Sequence, residues 1–298
     1  MLYSREQECE LLFERMKPVY NANTPENHPL IFKSEEDFKA GMSILAICAR
    51  MHPDVTVYAF QLMSNHFHLV AGGDSRRIQV FFRYFAVRLS KFFEDSFDPN
   101  ELTLKLFPVN DLSYMRNAIA YVNRNGFVVN NDVTPFSYPW GSSPYLFQPM
   151  SVGYAEISSK TIGIKPLRVL MHARNCDSFK DLKTIEGYVS PLEFCDIASA
   201  ERLFRDAKQY FYLISRNVEM YSEIAKSIGE SIYVNDNDLY LAAVRIAKER
   251  YGTGDLRTLD TSGKIEISKR LYFDYNAGEK QIERLLKIDS SLLKALSL

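Results

Sequence analysis

The sequence predicts an α+β protein whose first half builds an antiparallel sheet with helices and whose second half is mainly α-helical. Three observations carry this. Residues 55–62 (VTVYAFQL) and 66–71 (HFHLVA) are β-branched and aromatic runs separated by Met63, Ser64 and Asn65, the pattern of a hairpin. Residues 34–50 and 76–93 place apolar side chains at helical spacing on either side of it. A proline-dense segment over 133–150 then interrupts regular structure, and helical periodicity dominates beyond it.

The elements follow in order. Ser34 is an N-cap candidate with acids in the first turn, and Phe38, Met42, Leu45 and Ala49 give the first helix its apolar stripe. The hairpin closes at Gly72, Gly73 and Asp74. A second, long helix carries Ile78, Phe82, Phe85, Leu89, Phe92 and Phe93 on one side. Residues 102–109 predict a strand. Asp111 then caps a third helix running from 112 to about 125 and stopped by Gly126. In the second half the periodicity predicts helices over 198–214 and 218–228 and a helical cluster from 238 onward. The divisions expected are 1–150, a helical connecting region 151–232, and 233–298.

Composition narrows the function classes. With 298 residues, 46% hydrophobic and 24% charged, the chain is not disordered as a whole. No run approaches the roughly 18 uncharged apolar residues of a membrane span, and Met1 to Glu6 lack a signal peptide's order, so a cytoplasmic protein is expected. Thirty-six basic against 37 acidic residues exclude a blanket attraction to nucleic acid, leaving only a local basic face. Cys9, Cys48, Cys176 and Cys195 are scattered, which indicates neither a zinc knuckle nor a disulfide framework.

The sharpest local pattern is Asn65-His66-Phe67-His68-Leu69-Val70. On a strand, His66 and His68 share one face while Phe67 and Leu69 turn to the other, so two imidazoles project together as divalent-metal ligands or simply as a wet face. On the third helix Leu112, Met115, Ile119 and Val122 form the apolar stripe. Tyr121 falls roughly 140° from its centre, which predicts a presented rather than packed phenol, with Asn125 one turn on. Along the second helix Arg76, Arg77, Arg83, Tyr84, Arg88 and Lys91 share an arc opposite the phenylalanines, and no acid occurs between Ser75 and Phe93. Such a face suits a phosphate track.

MSNHFHLV resembles the HUH signature of single-tyrosine transposases. AIAYVNRNGFVVNNDVTPFSYPWGSSPY is similar to the tyrosine-helix segment and ending that follow it there, and LIFKSEEDF to their opening. The subgroup most resembled is the REP-associated tyrosine transposases and related insertion-sequence transposases, over roughly residues 18–147.

This resemblance implies a ferredoxin-like antiparallel sheet (the HUH nuclease fold) and cleavage and strand transfer of single-stranded, hairpin-forming DNA in transposition. It also implies Mg²⁺ or Mn²⁺ held by His66 and His68 with help from Asn125, and Tyr121 as nucleophile forming a 5′-phosphotyrosine. Two positions depart from the family pattern: Gly126 and Ser64 stand where prolines are usual. ELTLKLFPV, where relatives carry a basic-aromatic strand, has only Lys105.

Near the end, KRLYFDYNAGEKQIERLLKIDSSLLKAL resembles a helix-turn-helix appended to some of these proteins, with Lys269, Arg270, Lys280 and Arg284 as phosphate contacts. A catalytically inactive or domesticated nucleic-acid-binding regulator is a second reading, and a hydrolytic metalloenzyme using water a third. Whether one chain or a homodimer completes the site is open at this stage.

Overall fold

The computed structural model describes residues 4–25, 28–129, 136–216, 236–275 and 277–288. It is a mixed α+β structure that divides into two compact units, residues 1–127 with 132–215, and 128–131 with 216–298.

The first unit opens with α1 (Arg5–Glu14), β1 (Val19–Asn23), α2 (Glu35–Met51), β2 (Thr56–Leu62), β3 (Phe67–Gly72), α3 (Ser75–Phe92), β4 (Lys105–Val109) and α4 (Leu112–Val129). The strands form one antiparallel sheet in the order β2-β3-β1-β4. Ser34 and Asp37 close a capping box at α2, and Asp74 caps α3 by accepting from the Arg76 and Arg77 amides, as serine and aspartate do at exposed N-termini.

Two opposite faces of the sheet are covered. On β3, Phe67 packs edge-on against Phe82 and Phe85 of α3, at ring separations of 5.9 and 5.2 Å. His68, pointing the other way, meets Tyr121 of α4. Phe81, Phe82, Phe85, Ile44, Leu45 and Ile47 are fully buried in the layer of α2 and α3, each worth about 1.5–3 kcal/mol relative to exposure. Strand β1 is not legible as a strand in sequence. Its Asn21 and Asn23 lower β propensity, yet they lie in register with Val70 and His68 on the face beneath α4.

The described part of the proline-rich segment, from residue 136, belongs to the same unit. Ser142 and Phe60 exchange hydrogen bonds, the Leu62 amide donates to the Trp140 carbonyl (2.8 Å), and Trp140 stacks on Phe38 at 5.1 Å. This segment therefore lies along the β2 edge. Beyond it come α5 (Pro149–Ser158), α6 (Ile164–Met171), α7 (Ile197–Arg202) and α8 (Ala207–Arg216). The connecting region is not purely helical. It holds a small antiparallel sheet of β5 (Lys160–Thr161), β6 (Lys183–Ile185) and β7 (Tyr188–Val189). Leu167, Phe179, Leu182 and Val189 from this region share a core cluster with Ala46 and Ile47 of α2. The single helix expected over 198–214 is two, α7 and α8, interrupted between Leu203 and Asp206.

The second unit contains α9 (Asp236–Tyr251), α10 (Thr261–Tyr275) and α11 (Glu279–Leu286), packed on one another. The helix expected at 218–228 and the final apolar helix lie outside the described residues. Among the described residues no helix is long and apolar enough to cross a membrane.

Candidate active site

The histidines of the hairpin converge. His66 Nε2 and His68 Nε2 are 3.0 Å apart, and both rings are buried. Burial holds both imidazoles well below the usual histidine range, with the neighbouring His68 adding to the effect at His66. Both are therefore neutral and carry lone pairs, as metal ligands must. Two ligands at right angles around an ion about 2.1 Å away stand about 3.0 Å apart, so this pair fits an octahedral divalent cation.

The rest of the donor set is sparse. Among the described residues no group of three or more His, Cys, Asp or Glu can hold a metal. Asn125 is the further candidate. It donates through Nδ2 to the Tyr121 carbonyl at 3.0 Å, and an amide ligates a cation through its oxygen, here Oδ1. Two imidazoles and an amide form a neutral set that suits Mn²⁺ better than Mg²⁺.

Tyr121 departs from its expected exposure. Its ring lies 5.6 Å from that of His68, edge-on, and the residue is 2% exposed. The apolar stripe is not the helix's only buried face, because every residue from Met115 to Gly126 is buried. Its polar side is gripped by other parts of the unit. Arg116 forms a two-pronged ion pair with Glu6 (2.6 and 3.1 Å) and donates to the Leu203 carbonyl at 2.7 Å. Asn123 donates to the Tyr210 hydroxyl and accepts from Ser142, and Arg124 donates to the Ile214 carbonyl. Arg116, Asn123 and Arg124 are buried by contacts with residues distant in the chain.

Gln61, in register with His68, reaches into α4, donating to the Val122 carbonyl and accepting from the Gly126 amide. A Cβ at Gly126 would collide with this amide and with the Tyr138 ring, which explains glycine where the resembled family has proline. Gly126→Ala is expected to lower unfolding stability by about 1–3 kcal/mol in urea melts, despite alanine's higher helix propensity. A stabilised variant would show that the contact yields freely.

The expected basic stripe is not beside the histidines. Helix α3 covers the Phe67 face, whereas His68 and Tyr121 lie on the other. Arg76, Arg77, Arg83 and Lys91 are exposed. Arg88 is half-buried and structural: it donates to the Met171 carbonyl (3.1 Å) and the Tyr84 hydroxyl (2.7 Å), with its guanidinium 4.6 Å over the Tyr84 ring. A strand touching both α3 and the histidines would have to pass around a sheet edge. The cation closest in sheet register is Lys105, exposed on β4 and on the same rung as Asn23 and His68. Sequence reading undervalued it because rung membership depends on β1.

In the second unit, Lys269 and Arg284 are exposed and Arg270 is half-buried on α10 and α11. Lys280 is on α11, with its side chain outside the described set.

The histidine pair also makes stability pH-dependent. Unfolded imidazoles protonate near 6.5, while the folded pair stays neutral, so the unfolded state gains protons as pH falls. In EDTA the stability present above about pH 7 is expected to drop by about 3–4 kcal/mol on reaching pH 5, read from urea melts. A flat profile over that interval would contradict the buried neutral pair.

No protein-family model, curated protein or solved structure matches the chain.

Proposed function

We propose that the chain is a metal-dependent single-stranded DNA endonuclease and strand transferase of the HUH single-tyrosine type, with Tyr121 as nucleophile. The observation that carries this is the convergence of two neutral imidazole nitrogens, 3.0 Å apart, with the ring of Tyr121 edge-on at 5.6 Å from His68. The strand order β4-β1-β3-β2, with α2 and α3 as its two crossovers, supports a ferredoxin-like HUH reading.

His66, His68 and Asn125 would hold Mn²⁺ or Mg²⁺. A cation held there would supply a Lewis acid to polarise a phosphodiester and stabilise the charge that develops in the transition state. The Tyr121 hydroxyl oxygen would attack phosphorus and give up its proton to water as the P–O3′ bond breaks, the 3′-oxygen would take up a proton from water and leave as a hydroxyl, and the new phosphotyrosine would conserve the bond energy for rejoining. Lys105 lies on the correct rung to bind a flanking phosphate, and α10 and α11 would supply further contacts to DNA.

A second reading, a regulator that binds nucleic acid without cutting it, is favoured by one observation: the Tyr121 side chain is almost fully buried. The two separate in a single assay. Purified protein is incubated with Mn²⁺ and a pool of labelled single-stranded DNA hairpins, and covalent adducts are scored on a denaturing gel beside Tyr121→Phe and His66→Ala. Adduct lost in both variants supports the enzyme. DNA retention without adduct across the pool supports the regulator.

A further inference from the structure

A metal-ligating histidine must present a lone pair at the correct nitrogen, and the partner of its other nitrogen decides which one that is. At His66 that partner is Asn65. The His66 Nδ1 lies 2.8 Å from Asn65 Oδ1, and the Asn65 amide is oriented by its own donation from Nδ2 to the His28 carbonyl at 3.2 Å. With Nδ2 committed to a carbonyl, the atom facing His66 is an oxygen, which can only accept. The proton of neutral His66 is therefore on Nδ1.

The anchor is itself fixed. His28 is 8% exposed, donates from Nδ1 to the Pro29 carbonyl at 2.8 Å, and packs edge-on against Phe97 at 5.4 Å. The Ile31 and Phe32 amides both donate to the Ser64 carbonyl, tying the residues after His28 to the hairpin turn.

From this geometry we infer that Asn65 is a positioning residue, which holds the His66 proton on Nδ1 and turns the Nε2 lone pair toward His68 and the place of the ion. The inference rests on the proposed metal site but concerns residues that are in contact without the metal.

It also sets the state of the second histidine. Because His66 Nε2 accepts, the 3.0 Å contact requires His68 to donate from Nε2 in the metal-free protein. To serve as a ligand, His68 has to move that proton to Nδ1, with no net proton gained or lost, while His66 stays as it is. One ring is preset and the other switches.

Long-range ¹⁵N NMR of histidine-labelled protein in EDTA at pH 7.5 reads both tautomers directly. Expected are Nδ1–H for His66 and Nε2–H for His68. Asn65→Leu, similar in size but unable to accept, should shift His66 toward Nε2–H and weaken Mn²⁺ binding by about 10–100-fold. Asn65→Asp keeps an acceptor and should retain the Nδ1–H form, which provides a second test if the leucine variant does not fold. Nε2–H at His66 in the unmodified protein, or an unchanged tautomer in Asn65→Leu, overturns the inference. If the tautomers behave as expected while the unmodified protein binds no Mn²⁺, the positioning role stands and the metal reading falls.

Discussion

Tyr121→Phe is expected to reduce covalent adduct formation with single-stranded DNA by at least about a thousandfold, leaving hairpin binding within a few-fold of the unsubstituted protein. Removing one hydroxyl takes away the only atom of that side chain able to form a phosphoester, while the ring keeps its edge-on packing against His68. The comparison with Tyr114 sharpens the test. Tyr114 lies on the same helix seven residues earlier and is half-buried, so Tyr114→Phe should leave the adduct intact. If Tyr114→Phe removes the adduct and Tyr121→Phe does not, the nucleophile is misassigned. A hydrolytic enzyme using water would lose little activity in either variant and would form no adduct at all.

The second large effect concerns the grip on α4. Breaking the Arg116–Glu6 pair should be asymmetric, because the partners differ in exposure: the Arg116 side chain is 7% exposed and that of Glu6 41%. The guanidinium holds the Glu6 carboxyl below its ordinary range, chiefly through their hydrogen bond. Glu6→Ala leaves a buried cation still hydrogen-bonded to the Leu203 carbonyl but without its carboxylate partner, and should cost about 2–4 kcal/mol of unfolding stability. Arg116→Met fills similar volume and leaves a carboxylate that water can reach, so a change of no more than about 1 kcal/mol is expected. Equal losses in urea melts would mean that the pair acts through packing rather than charge.

Much of the scaffold was legible because its signals are local. The capping serine of α2, the hairpin around Met63 to Asn65 and the phenylalanine stripe of α3 all depend on residues within one or two turns of each other, whereas the stop expected at Gly126 is overturned, because the helix runs through that glycine to Val129. The histidine pair was legible for the same reason, since strand alternation alone places both rings on one face. What escaped is non-local. Strand β1 carries two asparagines that make sense only beside His68 and beneath α4. The burial of Tyr121 comes with its ring packing edge-on against His68 of the sheet, and that of Arg116, Asn123 and Arg124 with contacts from α1 and residues 203–214, far along the chain. The charge pattern of α3 was read correctly as exposed at Arg76, Arg77, Arg83 and Lys91, but periodicity within one helix cannot say which side of a sheet that helix covers.

The burial of Tyr121 has a kinetic corollary. A phenol 2% exposed cannot meet a phosphate in this arrangement, so reaction would proceed only from the fraction of molecules in which α4 or its covering segments have moved. That fraction multiplies the apparent affinity for DNA, and each 1.4 kcal/mol favouring the closed form lowers it about tenfold. The contacts of Glu6, Tyr210 and the Ile214 carbonyl with α4 would oppose such a movement. Substitutions that loosen them would trade thermal stability for speed, and at saturating DNA the turnover rate would level off at the opening rate whatever the strength of the nucleophile.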